Sequence, residues 1–132
     1  MLYGINFVAV FVAAILAFIA GGLWYSKKVF GEIWLEESKV IVNTKIGHSI
    51  LVYSGSFLFM LISATAFFLL THAHTGFLAS LQMALIIGIC FVSTSLGINY
   101  FFSGRSLKLF LIDSGYHVLE FLIYALVFSV WP

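Results

Sequence analysis

Asp113, His117 and Glu120 stand at i, i+4 and i+7 in the segment LKLFLIDSGYHVLEFLIYALVFSVW. At roughly 100° per residue these positions form one narrow stripe along a helix. Tyr116 flanks the stripe and Tyr124 continues it one turn later. Two carboxyl groups with an imidazole between them can relay protons, balance a cation or supply part of a metal site. These two are the only acids outside the 27–45 segment.

The stripe sits in an apolar run long enough to cross a bilayer. From a helical rise of about 1.5 Å per residue, Asp113 falls about 9 Å inside one end and Glu120 about 20 Å in, near the midplane. An ionisable side chain at such depth costs at least about 2.5–3.5 kcal/mol. The stripe is therefore expected to face other helices, a water-filled cavity or another subunit, and not lipid.

Three readings follow. In the first, the stripe is a proton or cation pathway, with Asp113 near the inner mouth, His117 as relay and Glu120 as the central group. In the second, His117 with Glu120 or Asp113 binds a metal; the nearest further ligands are His48 and Asn99, and no ligand motif is complete. In the third, the stripe is a polar network that joins helices and fixes their register.

The elements that must position these residues can be read from composition and hydropathy. Of 132 residues, 63% are hydrophobic and 8% are charged, against about 25% charged in soluble domains. Such a chain cannot cover a water-facing surface but suits a bilayer, where outward positions can be apolar all round. The length suits one domain, 1–132. A net charge of +1 gives no basic field for nucleic acid. Cys90 is the only cysteine, so no internal disulfide or cysteine-built metal site is expected, and no cofactor is implied. The first apolar run has no positive residue before it and is read as a retained span, not a signal peptide.

Four spans are expected, at about 5–24, 48–70, 77–101 and 107–131. Between the first two, Val29, Phe30, Ile33 and Trp34 fall on one helical face, and Lys28, Glu32, Glu36 and Lys39 fall largely on the other. This pattern predicts a short helix lying in the membrane interface. The expected fold is thus an all-α integral membrane bundle of four transmembrane helices with an interfacial helix after the first.

All six positive residues lie in two loops: Lys27, Lys28, Lys39 and Lys45 in one, Arg105 and Lys108 in the other. Positive residues favour the cytoplasmic side. Both basic loops are therefore expected inside, with both termini and the 71–76 loop outside. Trp24 and Tyr25 are expected as anchors at the inner interface, Tyr3 and Trp131 at the outer one. Arg105, Lys108, Lys27 and Lys28 are expected to anchor on lipid phosphate. A sharper expectation pairs Arg105 or Lys108 with Asp113.

Ala9, Ala13, Ala17 and Gly21 repeat every four residues on the first span. Ala84 with Gly88, and Ser93 with Gly97, do the same on the third. Small residues permit close helix approach in lipid, so these stripes are expected contact faces, within the chain or between chains. Ser93, Thr94 and Ser95 are expected to bond back to their own helix. His72 and His74, a lone pair in a loop, are expected to be solvated. No catalytic triad, phosphate loop or dinucleotide fingerprint is present.

Three stretches together resemble a known family. They are Trp24-Tyr25-Ser26 followed by Phe30-Gly31 and Trp34; Asn99-Tyr100 followed by Gly104-Arg105 and Leu107 to Ile112; and Gly115-Tyr116-His117. The chain resembles, over nearly its whole length, the small bacterial membrane proteins grouped as domain of unknown function 1761. It departs from their pattern at Lys27 and Ser106, where that family usually has proline. The resemblance implies a four-span fold in a bacterial inner membrane and brings no activity, substrate or cofactor. It also marks the Trp24–Ser26 and Tyr116–His117 segments as belonging together. Tyr25, Ser26, Asn99, Tyr116 and His117 are accordingly expected to line one polar pocket.

The leading functional expectation is a small transporter or channel-like protein for protons, ions or a small solute. The alternatives are a non-catalytic accessory or scaffold subunit of a membrane complex, and a membrane enzyme with an inner-leaflet acid–base or metal site. One four-helix bundle has little interior volume, so a homo-oligomer, with a dimer favoured, is expected alongside lipid and a possible membrane protein partner.

Overall fold

The computed structural model describes residues 4–39, 50–72 and 76–131. Tyr3, Lys45, His48 and His74, singled out above, lie outside them. The described residues form α1 (Phe7–Trp24), α2 (Gly31–Ser38), α3 (Ile50–Thr71), α4 (Phe77–Phe102) and α5 (Leu107–Val130). Four of these helices are long and apolar enough to cross a membrane. Large apolar side chains cover much of their outward faces, from Phe7 and Ile19 on α1 to Phe59 on α3 and Phe101 on α4. The protein is an all-α membrane bundle of four spans, with the short α2 after the first.

Polar residues set the helix ends. The Asn6 side chain accepts from the Ala9 amide at 3.1 Å and starts α1. The Ser106 hydroxyl accepts from the Leu109 amide at 3.2 Å and starts α5. Gly104, at φ +68°, closes the end of α4, and the Arg105 amide returns to the Tyr100 carbonyl at 3.0 Å. This short connection makes α4 and α5 antiparallel neighbours.

The core is built around α5, the most buried of the four spans. Ala9, Ala13 and Ala17 of α1 are wholly buried. On the same stripe, a Cβ added at Gly21 would meet the Tyr116 hydroxyl at 3.0 Å. On α4, a Cβ at Gly88 would lie 3.1 Å from the Val118 Cα, and one at Gly97 would lie 3.1 Å from the Phe110 ring. At these glycines the small-residue stripes of both helices meet α5 of the same chain. On the remaining side, the Phe67 ring of α3 lies 5.8 Å from Phe121 and 6.2 Å from Tyr124. α3 packs on α1 and α5 but barely touches α4.

Within α4, Ile86–Ser93 winds as a π-helix. Ser93 Oγ donates to the Gly88 carbonyl at 2.7 Å, and Thr94 Oγ1 donates to the Cys90 carbonyl at 2.7 Å. These two hydroxyls bond back to their own helix. The wider winding lies opposite the part of α5 that carries Val118, beside the polar stripe.

Candidate functional site

α5 presents two polar clusters. The first centres on Asp113, whose carboxylate is held from three directions. The Tyr25 hydroxyl donates to Oδ1 at 2.7 Å, and the Trp34 indole N–H donates to the same oxygen at 3.1 Å. The Tyr100 hydroxyl donates to Oδ2. These donors come from the end of α1, from α2 and from α4, so one carboxylate ties three elements to α5. Hydrogen bonds to a charged group are roughly twice as strong as neutral ones. Burial first, then the hydrogen bond to Asp113 and its charge, pushes the Tyr25 phenol above its ordinary range, so it remains a donor.

The surrounding residues make room for this clamp. The Trp24 indole N–H donates to the Ile112 carbonyl at 3.0 Å, and a Cβ at Gly115 would stand 3.0 Å from the Trp24 ring. Phe30 packs on Trp24 with ring centroids 4.8 Å apart. At Gly31 a Cβ would come 2.5 Å from the Tyr25 carbonyl oxygen, so only glycine lets α2 fold back this closely. The motif residues Trp24, Tyr25, Phe30, Gly31, Trp34, Tyr100 and Gly115 thus converge on one junction.

At this junction Trp24 and Tyr25 are bonded to α5, and Trp34 brings α2 to the same carboxylate. One expectation needs correction. No cation pairs with Asp113, where Arg105 or Lys108 was expected: among the described residues no Lys or Arg stands within ion-pair distance of it. Arg105 lies over the Tyr100 ring, 5.3 Å from its centroid, and so reaches Asp113 only through that phenol. Lys108, Lys27 and Lys28 are exposed at the same end.

The second cluster centres on Glu120, which is 5% exposed. His117 Nδ1 is 2.9 Å from Oε2. The Tyr124 hydroxyl is 2.6 Å from Oε1 and 3.2 Å from the Met60 carbonyl oxygen of α3. The Tyr116 hydroxyl donates to the Ala17 carbonyl at 3.0 Å, which fixes α5 to α1 one turn away.

His117 and Glu120 form part of the floor of a cleft of about 420 Å³. Ser56, Met60 and Ser63 of α3 line one side, Val92 of the π segment lines the other, and Tyr25 and Tyr116 close one end. The cleft exists because α3 and α4 do not close over α5. Tyr25 belongs to both clusters, since it lines the cleft and bonds Asp113.

Of the residues expected in one pocket, Tyr25, Tyr116 and His117 meet at this cleft together with Glu120. Ser26 and Asn99 do not. Ser26 Oγ donates to the Leu23 carbonyl at 2.7 Å, and Asn99 is exposed, with its backbone carbonyl accepting from Ser103 Oγ at 2.8 Å. Both stand near helix ends, where polar groups and carbonyls satisfy one another locally. Ser56 and Ser63, which the sequence reading passed over, face the cleft seven residues apart on α3. That helical spacing was the available signal. Among the described residues no three His, Cys, Asp or Glu side chains converge as a metal site would require. His72 is exposed near a second cavity, of about 470 Å³, at the opposite end of the bundle.

No curated protein and no solved structure matches the chain. A family whose description is protein of unknown function (DUF1761) matches residues 8–129. With a match over nearly every residue, including all those that build the Asp113 junction and the Glu120 cleft, the chain belongs to the DUF1761 family.

Proposed function

We propose that the protein is a small transporter or channel-like protein that moves protons, ions or a small solute. Glu120 is its central group, His117 the relay beside it, and Asp113 the fixed point that holds the helices in place. The observation that carries this reading is a buried carboxylate on the floor of a cleft of about 420 Å³, inside an otherwise apolar bundle. An intramembrane carboxylate is expensive to keep, and such groups commonly mark ion and proton paths. The π segment on the cleft wall supports it, because π-bulges often accompany functional sites.

The working arrangement in this proposal is a homodimer in a bacterial inner membrane, with both basic loops in the cytoplasm and both termini outside. Purified protein in liposomes loaded with a pH-sensitive dye should collapse an imposed proton gradient several-fold faster than protein-free liposomes. Vesicles as tight as the protein-free control, whichever counter-ion is supplied, would end the proton and ion versions.

The gap between α3 and α4 favours one second reading, an accessory subunit whose partner helix fills that flank. It predicts a stable heteromer in native mass spectrometry of mildly extracted protein and no flux by the chain alone.

A further inference from the structure

We infer that the groove between α2 and α5 binds a phospholipid whose headgroup carries a primary ammonium. The site is separate from the Glu120 cleft, with which it shares no lining residue, and the inference does not depend on the transport reading.

The groove, of about 370 Å³, has two matching walls. On α2, Ile33, Glu36 and Glu37 stand at i, i+3 and i+4, one face of a helix. On α5, Lys108, Leu111 and Ile112 repeat that spacing. Each wall therefore joins charge to aliphatic surface. Phe30 completes the lining. It packs on Trp24, whose indole N–H also holds the Ile112 carbonyl, and Trp34 ties α2 to Asp113. The Asp113 junction thus sets the spacing of the walls.

The charges fix the headgroup. Two carboxyl side chains and one lysine line the same groove, yet among the described residues no ion pair joins Lys108 to Glu36 or Glu37. A ligand carrying both signs satisfies the two walls at once. Its phosphate meets Lys108, and its ammonium meets Glu36 and Glu37. A primary ammonium offers N–H donors to carboxylates, whereas a trimethylated one has none. An anionic headgroup without an amine would meet more like charge than opposite charge.

The position in the span fixes the rest of the ligand. α5 is a spanning helix from Leu107, so Lys108 stands in its first turn. Leu111 and Ile112 lie one turn deeper, roughly 5 Å along the helix. Leu111 is 59% exposed. Charge at the helix end and aliphatic surface below it follow the order in which a phospholipid presents its headgroup and acyl chains. A lipid held there bridges α2 to α5 beside the Asp113 junction.

The test is native mass spectrometry of the purified protein in mild detergent. It is titrated with phosphatidylethanolamine, phosphatidylcholine and phosphatidylglycerol of identical acyl chains. Phosphatidylethanolamine should bind roughly fivefold tighter than either of the others, the scale of one charge contact at a membrane surface. Glu36, Glu37 and Lys108 are exposed or half-exposed, so variants there should fold. Lys108→Ala should weaken phosphatidylethanolamine roughly fivefold. Glu36→Gln combined with Glu37→Gln should erase its preference over phosphatidylcholine. Lys27→Ala, outside the groove, should change neither result. Free phosphoethanolamine, which has the headgroup without the chains, should displace the lipid only in large excess. Equal binding of the three lipids, or preference for another of them, would overturn the inference. So would a preference that survives the double glutamine variant, a loss in Lys27→Ala equal to that in Lys108→Ala, or displacement by stoichiometric phosphoethanolamine.

Discussion

Asp113→Ala should destabilise the protein by about 3 kcal/mol, because three part-buried donors lose their acceptor at about 1 kcal/mol or more apiece. The carboxylate takes the Tyr25 and Tyr100 hydroxyls and the Trp34 indole N–H. Its loss leaves those donors without an acceptor and releases α2 from α5. Unfolding in mixed detergent should show the loss of stability, and limited proteolysis should cut the 25–39 segment much faster than in the parent. Asp113→Asn keeps one acceptor oxygen and should fall between the two. An unchanged unfolding curve for Asp113→Ala would mean that the junction does not hold the bundle.

Gly88→Leu should be about as damaging, by a different route. Helices in lipid gain little from hiding apolar surface and depend on close packing. At Gly88 even a methyl carbon would stand 3.1 Å from the Val118 Cα, a backbone atom that cannot turn aside. Gly88→Ala should cost about 1 kcal/mol, as α4 shifts by a few tenths of an ångström. Leucine adds a branched chain to the same contact and should cost about 3 kcal/mol, the upper end of the overpacking range. Leucine at Gly55, where nothing lies within 4 Å of an added Cβ, is the matched control and should be close to neutral. Equal loss at both positions would mean that α4 and α5 are not held by close backbone contact.

The spans, the interfacial helix and the small-residue faces were legible because each depends on local length and period. Apolar runs and four-residue repeats survive in sequence whatever the tertiary partners are. The contiguity of Asp113, His117 and Glu120 was legible for the same reason, being set by one helix. What the stripe does at each position was not. Trp34 read as part of the apolar face of an interfacial helix because an indole at a membrane surface and an indole bonded to a carboxylate have the same sequence signature, and Tyr100 read only as a motif residue. Only the turn at Gly31 and the short connection at Gly104 bring them to Asp113, and those are properties of tertiary geometry. The expected pairing of Asp113 with Arg105 or Lys108 is not made: the aromatic donors reach the carboxylate, and Arg105 lies over the Tyr100 ring. Ser26 and Asn99 look like pocket residues in an apolar context, yet helix ends absorb them. The division of the stripe into a junction at Asp113 and a cleft at Glu120 follows from where α3 and α4 part, which no periodicity records.

That division is the central claim, and proton flux through Glu120→Gln protein tests it most directly. Glutamine has nearly the same shape as glutamate and can still accept from His117 or Tyr124, so the bundle should unfold within about 1 kcal/mol of the parent. It cannot take up and release a proton. Normalised to folded protein in liposomes, Glu120→Gln should carry no flux above protein-free vesicles, while Asp113→Asn should retain flux wherever it remains folded. Full flux from Glu120→Gln, or loss of flux confined to folded Asp113→Asn, would contradict the assignment of the working group to the cleft.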